Sequence, residues 1–197
     1  MEVTIDRRFD LPVSEEQAWA LLENVRATSS CMPGVEITNQ INEKSYQGRM
    51  RSRIGPATLN FQGTVDVLAS DPAQRSLSLI GKGGDTNGSS ASMSLMAQIE
   101  ASSSGQGCVL SGLIKMTVSG KLAQFGHRFL LPVADSMLRD FIINFSEQAA
   151  RLDAGHTERP QAKMVSSQQP MAKELNVLAM LGAMLKRWAS GLLGPRP

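Results

Sequence analysis

From Val35 to Ser119 the chain alternates between apolar and polar residues at every second position. Leu59, Phe61, Gly63, Val65 and Val67 fall on one side of an extended segment, and Thr58, Asn60, Gln62, Thr64 and Asp66 on the other. Ala91, Met93, Leu95, Ala97 and Ile99 alternate with Ser92, Ser94, Gln98 and Glu100; Leu110, Gly112, Ile114, Met116 and Val118 do so with Ser111, Lys115, Thr117 and Ser119. Residues 35–41, 45–54 and 76–82 read as three more strands, and residues 2–9, with Val3 and Ile5, as a separate first one. Turn residues punctuate them at Asn42-Glu43, Gly55-Pro56, Asp71-Pro72, Gly83 to Gly88 and Ser104-Gly105-Gln106-Gly107. Burial of one face only predicts a seven-stranded antiparallel sheet whose other face meets water.

The period then changes to that of a helix. Ser14 is a good N-cap with Gln17 as its capping-box partner, and Ala18, Trp19, Leu21, Leu22 and Val25 supply one buried side. Residues 27–34 read as a turn-rich passage. Leu122, Phe125, Phe129, Val133, Met137, Phe141 and Phe145 mark a long helix over 122–152, with a break or kink expected near Arg128–Pro132 because Pro132 lacks an N–H. The fold class is therefore α+β: a sheet gripping a long helix, in a domain spanning residues 1–152.

Two further segments follow. Residues 153–170 are polar, with Pro160, Ser166, Ser167, Gln168, Gln169 and Pro170, and read as a flexible linker of about 20 Å r.m.s. reach. Residues 171–197 read as a separate amphipathic tail helix. Val177, Leu178, Leu181, Leu185, Trp188 and Leu192 share one face, with Lys173, Asn176, Arg187 and Ser190 opposite and Lys186 at the flank. The longest apolar run there, 177–185, is too short to span a bilayer, which needs about 20 residues. An interfacial membrane helix is the expectation, and folding back onto the domain or dimerising is the alternative.

Charge sharpens this division. Residues 1–150 carry 13 Lys or Arg against 15 Asp or Glu, whereas residues 151–197 carry 7 against 3. A basic tail on a slightly acidic body suits anionic lipid. It argues against nucleic acid, for which the strands also lack the interleaved basic and aromatic pattern. Cys31 and Cys108 show no metal spacing, and Cys31 reads as a small buried thiol. The N-terminal residues form no apolar signal segment, which makes cytoplasmic residence the expectation. His127 and His156, the chain's two histidines, lie too far apart to suggest a metal pair, and no nucleophile motif is visible.

The inward positions include Gly48, Gly63, Ala91, Ala97 and Gly112, small residues that would leave a hollow beneath the long helix. Met93, Met116, Met137 and the phenylalanines could instead fill it. Candidate lining residues are Leu59, Phe61, Val65, Met93, Leu95, Ile114, Met116, Phe129, Met137 and Phe141. Arg49, Arg51 and Arg53 leave one face of one strand, either as a solvated face or as a docking patch for an acidic protein surface or lipid headgroups.

Six short motifs now stand in order: Cys31-Met32-Pro33-Gly34, Tyr46-Gln47-Gly48, Arg53-Ile54-Gly55-Pro56, Phe61-Gln62-Gly63, Gly81-Lys82-Gly83 and the run from Val118 to Gly126. In order and spacing, residues 2 to about 150 resemble the G subunit of carbon monoxide dehydrogenase (CoxG), of the START/Bet v 1-like (SRPBCC) helix-grip superfamily. Two departures are Arg53, where that family usually has Lys, and Pro132. The resemblance implies a non-catalytic partner of a molybdenum hydroxylase of the aerobic CO dehydrogenase type. It further implies recruitment of that enzyme to the inner face of the cytoplasmic membrane and handling of an isoprenoid quinone, with no covalently bound cofactor. A pure anchor with no ligand, and a cyclase or hydrolase on the same fold, are the alternatives.

Overall fold

The computed structural model describes residues 1–54 and 57–154. Strand β1 (Glu2–Leu11) leads into helices α1 (Glu15–Leu22) and α2 (Val25–Ser30), then strands β2 (Val35–Gln40), β3 (Ser45–Ile54), β4 (Ala57–Asp71), β5 (Ser76–Asp85), β6 (Ser89–Ala101) and β7 (Cys108–Ser119). A 3-10 helix (Gly120–Phe125) and helix α3 (His127–Ala154) complete the order. The strands form one antiparallel sheet in the order β1-β7-β6-β5-β4-β3-β2. This is the helix-grip architecture: a meander closed by the first strand, which docks beside the last.

Local chemistry explains most of these elements. Ser14 and Gln17 form a reciprocal capping box, the serine hydroxyl accepting from the Gln17 N–H while the glutamine side chain accepts from the Ser14 N–H. Asn24 caps α2 by accepting from the Ala27 N–H at 3.0 Å. Gly34 turns the chain into β2 with φ +78°, at a point so tight that a Cβ would sit 2.0 Å from the Arg51 carbonyl oxygen. Gly63 lies opposite Gly83 in the β4–β5 register, and a Cβ there would meet the Lys82 carbonyl oxygen at 2.1 Å. That pair therefore permits close approach of two strands and does not leave free space.

Helix α3 runs unbroken through Pro132. The expected interruption does not fall at Pro132, because the helix begins only at His127 and the proline forgoes a single N–H bond in its second turn. The break in helical backbone falls earlier, at Gly126, where φ is +70° between the 3-10 helix and α3.

Two apolar clusters hold α3 against the inner face of the sheet. The larger joins α1 and the C-terminal half of α3 to the middle strands, with Trp19, Leu22, Leu77, Ile99, Leu110, Phe145 and Ala149 among its members. The smaller gathers Leu59, Phe61, Val118, Leu122 and Leu130 at the other end. Helix α3 bridges them through Leu130 and Val133 at one end and Phe145 and Ala149 at the other. Asn144 Nδ2 donates to the Cys31 carbonyl at 2.9 Å, tying the second half of α3 to the end of α2. Among the described residues no helix is long and apolar enough to cross a membrane.

Candidate functional site

The stretch of α3 between its two anchors covers a cavity of about 310 Å³. Strand registers show how it is walled. Across β5, β6, β7 and β1 the inner face carries one row Leu79, Leu95, Ile114, Ile5 and a second row Leu77, Ala97, Gly112, Arg7. Met137, Leu138 and Phe141 of α3 cover these rows, and Met32, Val35 and Met50 close the side toward α2 and β3. The wall is almost wholly apolar, and its size falls in the range of small-molecule sites. Methionines at 32, 50, 93 and 137 give it an adaptable surface.

Of the ten lining residues inferred from sequence, Val65, Met93, Leu95, Ile114, Met137 and Phe141 are on the wall. The other four require correction. Leu59 and Phe61 are buried in the smaller cluster, with Met116 packed against it, so they close one end of the hollow without facing it. Phe129 is 39% exposed and stacks on Phe125 with ring centroids 5.2 Å apart. Its helical spacing matches the inner face, but the true inward position in that turn is Leu130. Of the small residues, Ala97 and Gly112 border the cavity, whereas Ala91 packs in the smaller cluster. The Gly48 Cβ position is 2.9 Å from the Glu36 carbonyl oxygen, so it too leaves no room.

Sequence patterning does not anticipate the contributions of Met32, Val35, Phe9 or Arg7. The alternation of Val3, Ile5 and Phe9 places Arg7 inward, and its charge alone argues otherwise. Cys31, beside Met32, is fully buried; burial pushes its thiol up to about 11. His127 has a structural setting, its Nε2 lying 2.7 Å from the Glu2 carbonyl oxygen. Among the described residues no group of three or more His, Cys, Asp or Glu side chains converges on a point where a metal could sit.

The other expected sites divide between described and undescribed parts of the chain. Arg49 and Arg51 lie on the exposed face of β3, where Arg49 pairs with Glu36 of β2 at 2.7 Å. The Arg53 side chain lies outside the described residues, as do Val177, Leu178, Leu181, Leu185, Trp188 and Leu192 of the tail. A second, open groove of about 380 Å³ lies on the solvated face of the sheet over Ile80, Lys82, Ser92, Ser94 and Lys115. Its lining mixes these polar side chains with Val3, Met93 and Met116, and it offers an apolar molecule less apolar surface than the interior cavity does.

Comparison with known proteins agrees with this architecture. The sequence matches the family described as the G subunit of carbon monoxide dehydrogenase (CoxG) over residues 8–150. No curated protein matches it. Among solved structures it is similar to a conserved protein from Geobacillus kaustophilus, with a TM-score of 0.67 and 19% identity over 76% of this chain and 96% of that one. It is also similar to a START superfamily protein from Mycobacterium smegmatis (TM-score 0.54, 12% identity, 76% and 98% covered). A third likeness is to the Zhui aromatase/cyclase from Streptomyces sp. R1128 (TM-score 0.54, 13% identity, 77% and 95% covered). At these identities the likeness shows the shared helix-grip fold.

Proposed function

This chain belongs to the CoxG family, the G subunit of carbon monoxide dehydrogenase, and on that premise we propose that it is a ligand-binding accessory protein of a molybdenum hydroxylase. The ligand is an isoprenoid quinone or a similar lipid, held in the apolar cavity between sheet and α3. The tail, residues 171–197, keeps the protein on the inner face of the cytoplasmic membrane, and the linker lets the domain turn between bilayer and enzyme. The exposed arginines of β3 supply a docking face for the enzyme.

One observation carries this reading: a cavity of about 310 Å³ with a nearly all-apolar wall, left open between two packed clusters. Such a void exposes apolar surface to water, and an apolar occupant relieves that at roughly 25 cal/mol per Å². A few hundred Å² would offset several kcal/mol of favourable bilayer interaction that the ligand gives up on extraction. The wall supports binding, and among the described residues it carries no paired acid and base of the kind a cyclase or hydrolase would use.

Native mass spectrometry of the full chain, purified from membranes, tests the proposal. A co-purifying quinone mass is the expected result. Protein that is empty, and stays empty when offered quinone-loaded vesicles, yet still binds the hydroxylase, would leave the anchor alone. In that case charge reversal at Arg49, Arg51 and Arg53 abolishes recruitment while a bulky residue at Ala97 changes nothing.

A further inference from the structure

Strand β1 places one residue on the inner face that its hydrophobic pattern does not explain. Val3, Ile5, Phe9 and Leu11 alternate toward the interior, and Arg7 stands among them, in register with Gly112 and on the cavity wall. Side-chain bulk falls away toward it along the row Leu77, Ala97, Gly112. A Cβ at Gly112 would meet nothing nearer than Leu95 Cδ1 at 3.9 Å, so open space lies over Gly112, the strand neighbour of Arg7.

The guanidinium stands at the open edge of the cavity, its side chain 44% exposed, and is held in place there. Its Nε and Nη2 donate to Asp135 Oδ1 of α3 at 3.2 and 2.9 Å, and its Nη1 donates to the Asp6 carbonyl at 2.8 Å. A guanidinium has more N–H donors than these bonds use, and one hydrogen remains on each terminal nitrogen. Thr28 and Ser29 are the other polar side chains on the wall, and the Thr28 hydroxyl already donates to the Leu21 carbonyl at 2.6 Å. Among the described residues Arg7 is the wall's one charged side chain.

We propose that Arg7 is the polar anchor of the cavity, donating to a carbonyl or carboxylate oxygen on the head of an otherwise apolar ligand. Asp135 is its positioning residue, fixing the fork so that the remaining N–H groups meet the space over Gly112. This rests on the cavity's being a ligand site and adds which end of the ligand is read, and where. The donor is charged but partly exposed to water and already paired with Asp135, so the anchor is worth about three- to tenfold in Kd. The position also sets the ligand's direction, head toward β1 and apolar body toward Met93 and Met50.

The test uses the full chain and two probes of equal length, 2-decyl-1,4-benzoquinone, which carries carbonyl oxygens, and decylbenzene, which has none. Each displaces the uncharged dye N-phenyl-1-naphthylamine. Wild type should prefer the quinone. In R7M that preference should fall by about threefold or more while decylbenzene binds as before; D135N should lose part of it, and R7K, a point charge without the fork, should recover only part. An R7M protein that keeps the wild-type preference overturns the proposal, as does a wild type that binds both probes equally. If R7M does not fold, an undiminished preference in both R7K and D135N overturns it. Should neither probe displace the dye from wild type, the ligand-cavity reading falls first and the anchor with it.

Discussion

Filling the cavity from the sheet side should make the empty protein more stable and its ligand binding weaker. Gly112→Val is the sharpest such perturbation. The residue faces the hollow between Ala97 and Arg7, and its new Cβ would have ordinary contact, with Leu95 Cδ1 3.9 Å away. Valine brings three carbons, worth at most about 2.4 kcal/mol at about 0.8 kcal/mol each. Replacing glycine within a strand adds about 0.5–1 kcal/mol. Part of the new surface still faces the void, which brings the expected gain to about 1–2 kcal/mol. At about 2–4 °C per kcal/mol for a domain of this size, Tm should rise by about 2–8 °C. Were the space already filled, the same change would overpack it and lose about 1–3 kcal/mol, so the sign decides. Differential scanning calorimetry of the ligand-free chain, paired with dye titration, gives both readings. A lower Tm with undiminished dye affinity would refute the reasoning.

Other changes probe the framework. Phe145→Ala removes a fully buried ring that lies 5.4 Å from Phe141, and urea unfolding should show a loss of about 3–5 kcal/mol; a loss under about 1 kcal/mol would contradict the larger cluster. Gly63→Ala drives a Cβ against the backbone of Lys82 and Gly83, so Tm should fall, with about 1–3 kcal/mol lost; an unchanged Tm would contradict the β4–β5 register. Ser14→Ala opens the capping box of α1 and should lower stability by about 0.5–2 kcal/mol in the same melts. Burial raises the Cys31 and Cys108 thiols from 9.0 to about 11, so the unfolded thiols ionise first. Stability should hold below pH 9 and decline as pH rises toward 11; an alkaline limb no flatter in the Cys31→Ala, Cys108→Ala double variant would rule these thiols out as its source.

The sheet is legible in the sequence because its signal is local and repeated. Each strand announces its buried side at every second residue, and Ser14 with Gln17 marks the first helix from three residues of spacing. Helix α2 escapes such reading because Thr28, Ser29 and Ser30 have turn chemistry and only Val25 of its six residues is buried. Its stability comes from the Asn24 cap and from the Thr28 hydroxyl bond to Leu21, neither of which produces an apolar period. Strand β5 runs on to Asp85, past the glycines that suggest a turn, because Gly83 and Gly84 pair with β4 and β6.

The cavity is half legible for a related reason. Alternation says which residues face inward but not how far along the helix each one sits. Leu59, Phe61 and Met116 face the interior, yet they belong to the end cluster, because the cavity's position depends on where α3 is anchored. Gly48 and Gly63 look like empty space in the sequence and prove to be filled by neighbouring backbone. Arg7 is easily passed over because patterning discounts a charge on an inward position, and only the partner on α3, 128 residues away in sequence, makes sense of it.

The unequal seats of α3 have a mechanical consequence. Its last three turns belong to a cluster of fifteen buried residues, Phe145 and Ala149 among them, and are tied by side-chain amides to Cys31 and Ser30, whereas its first turns belong to one of five and are tied to β1 only at exposed positions, through His127 and Asp135. Detaching the beginning of the rod therefore takes less free energy than detaching its end, and Pro132 removes one more restraint there. Amide protons from His127 to Met137 should exchange with solvent sooner than those from Asn144 onward.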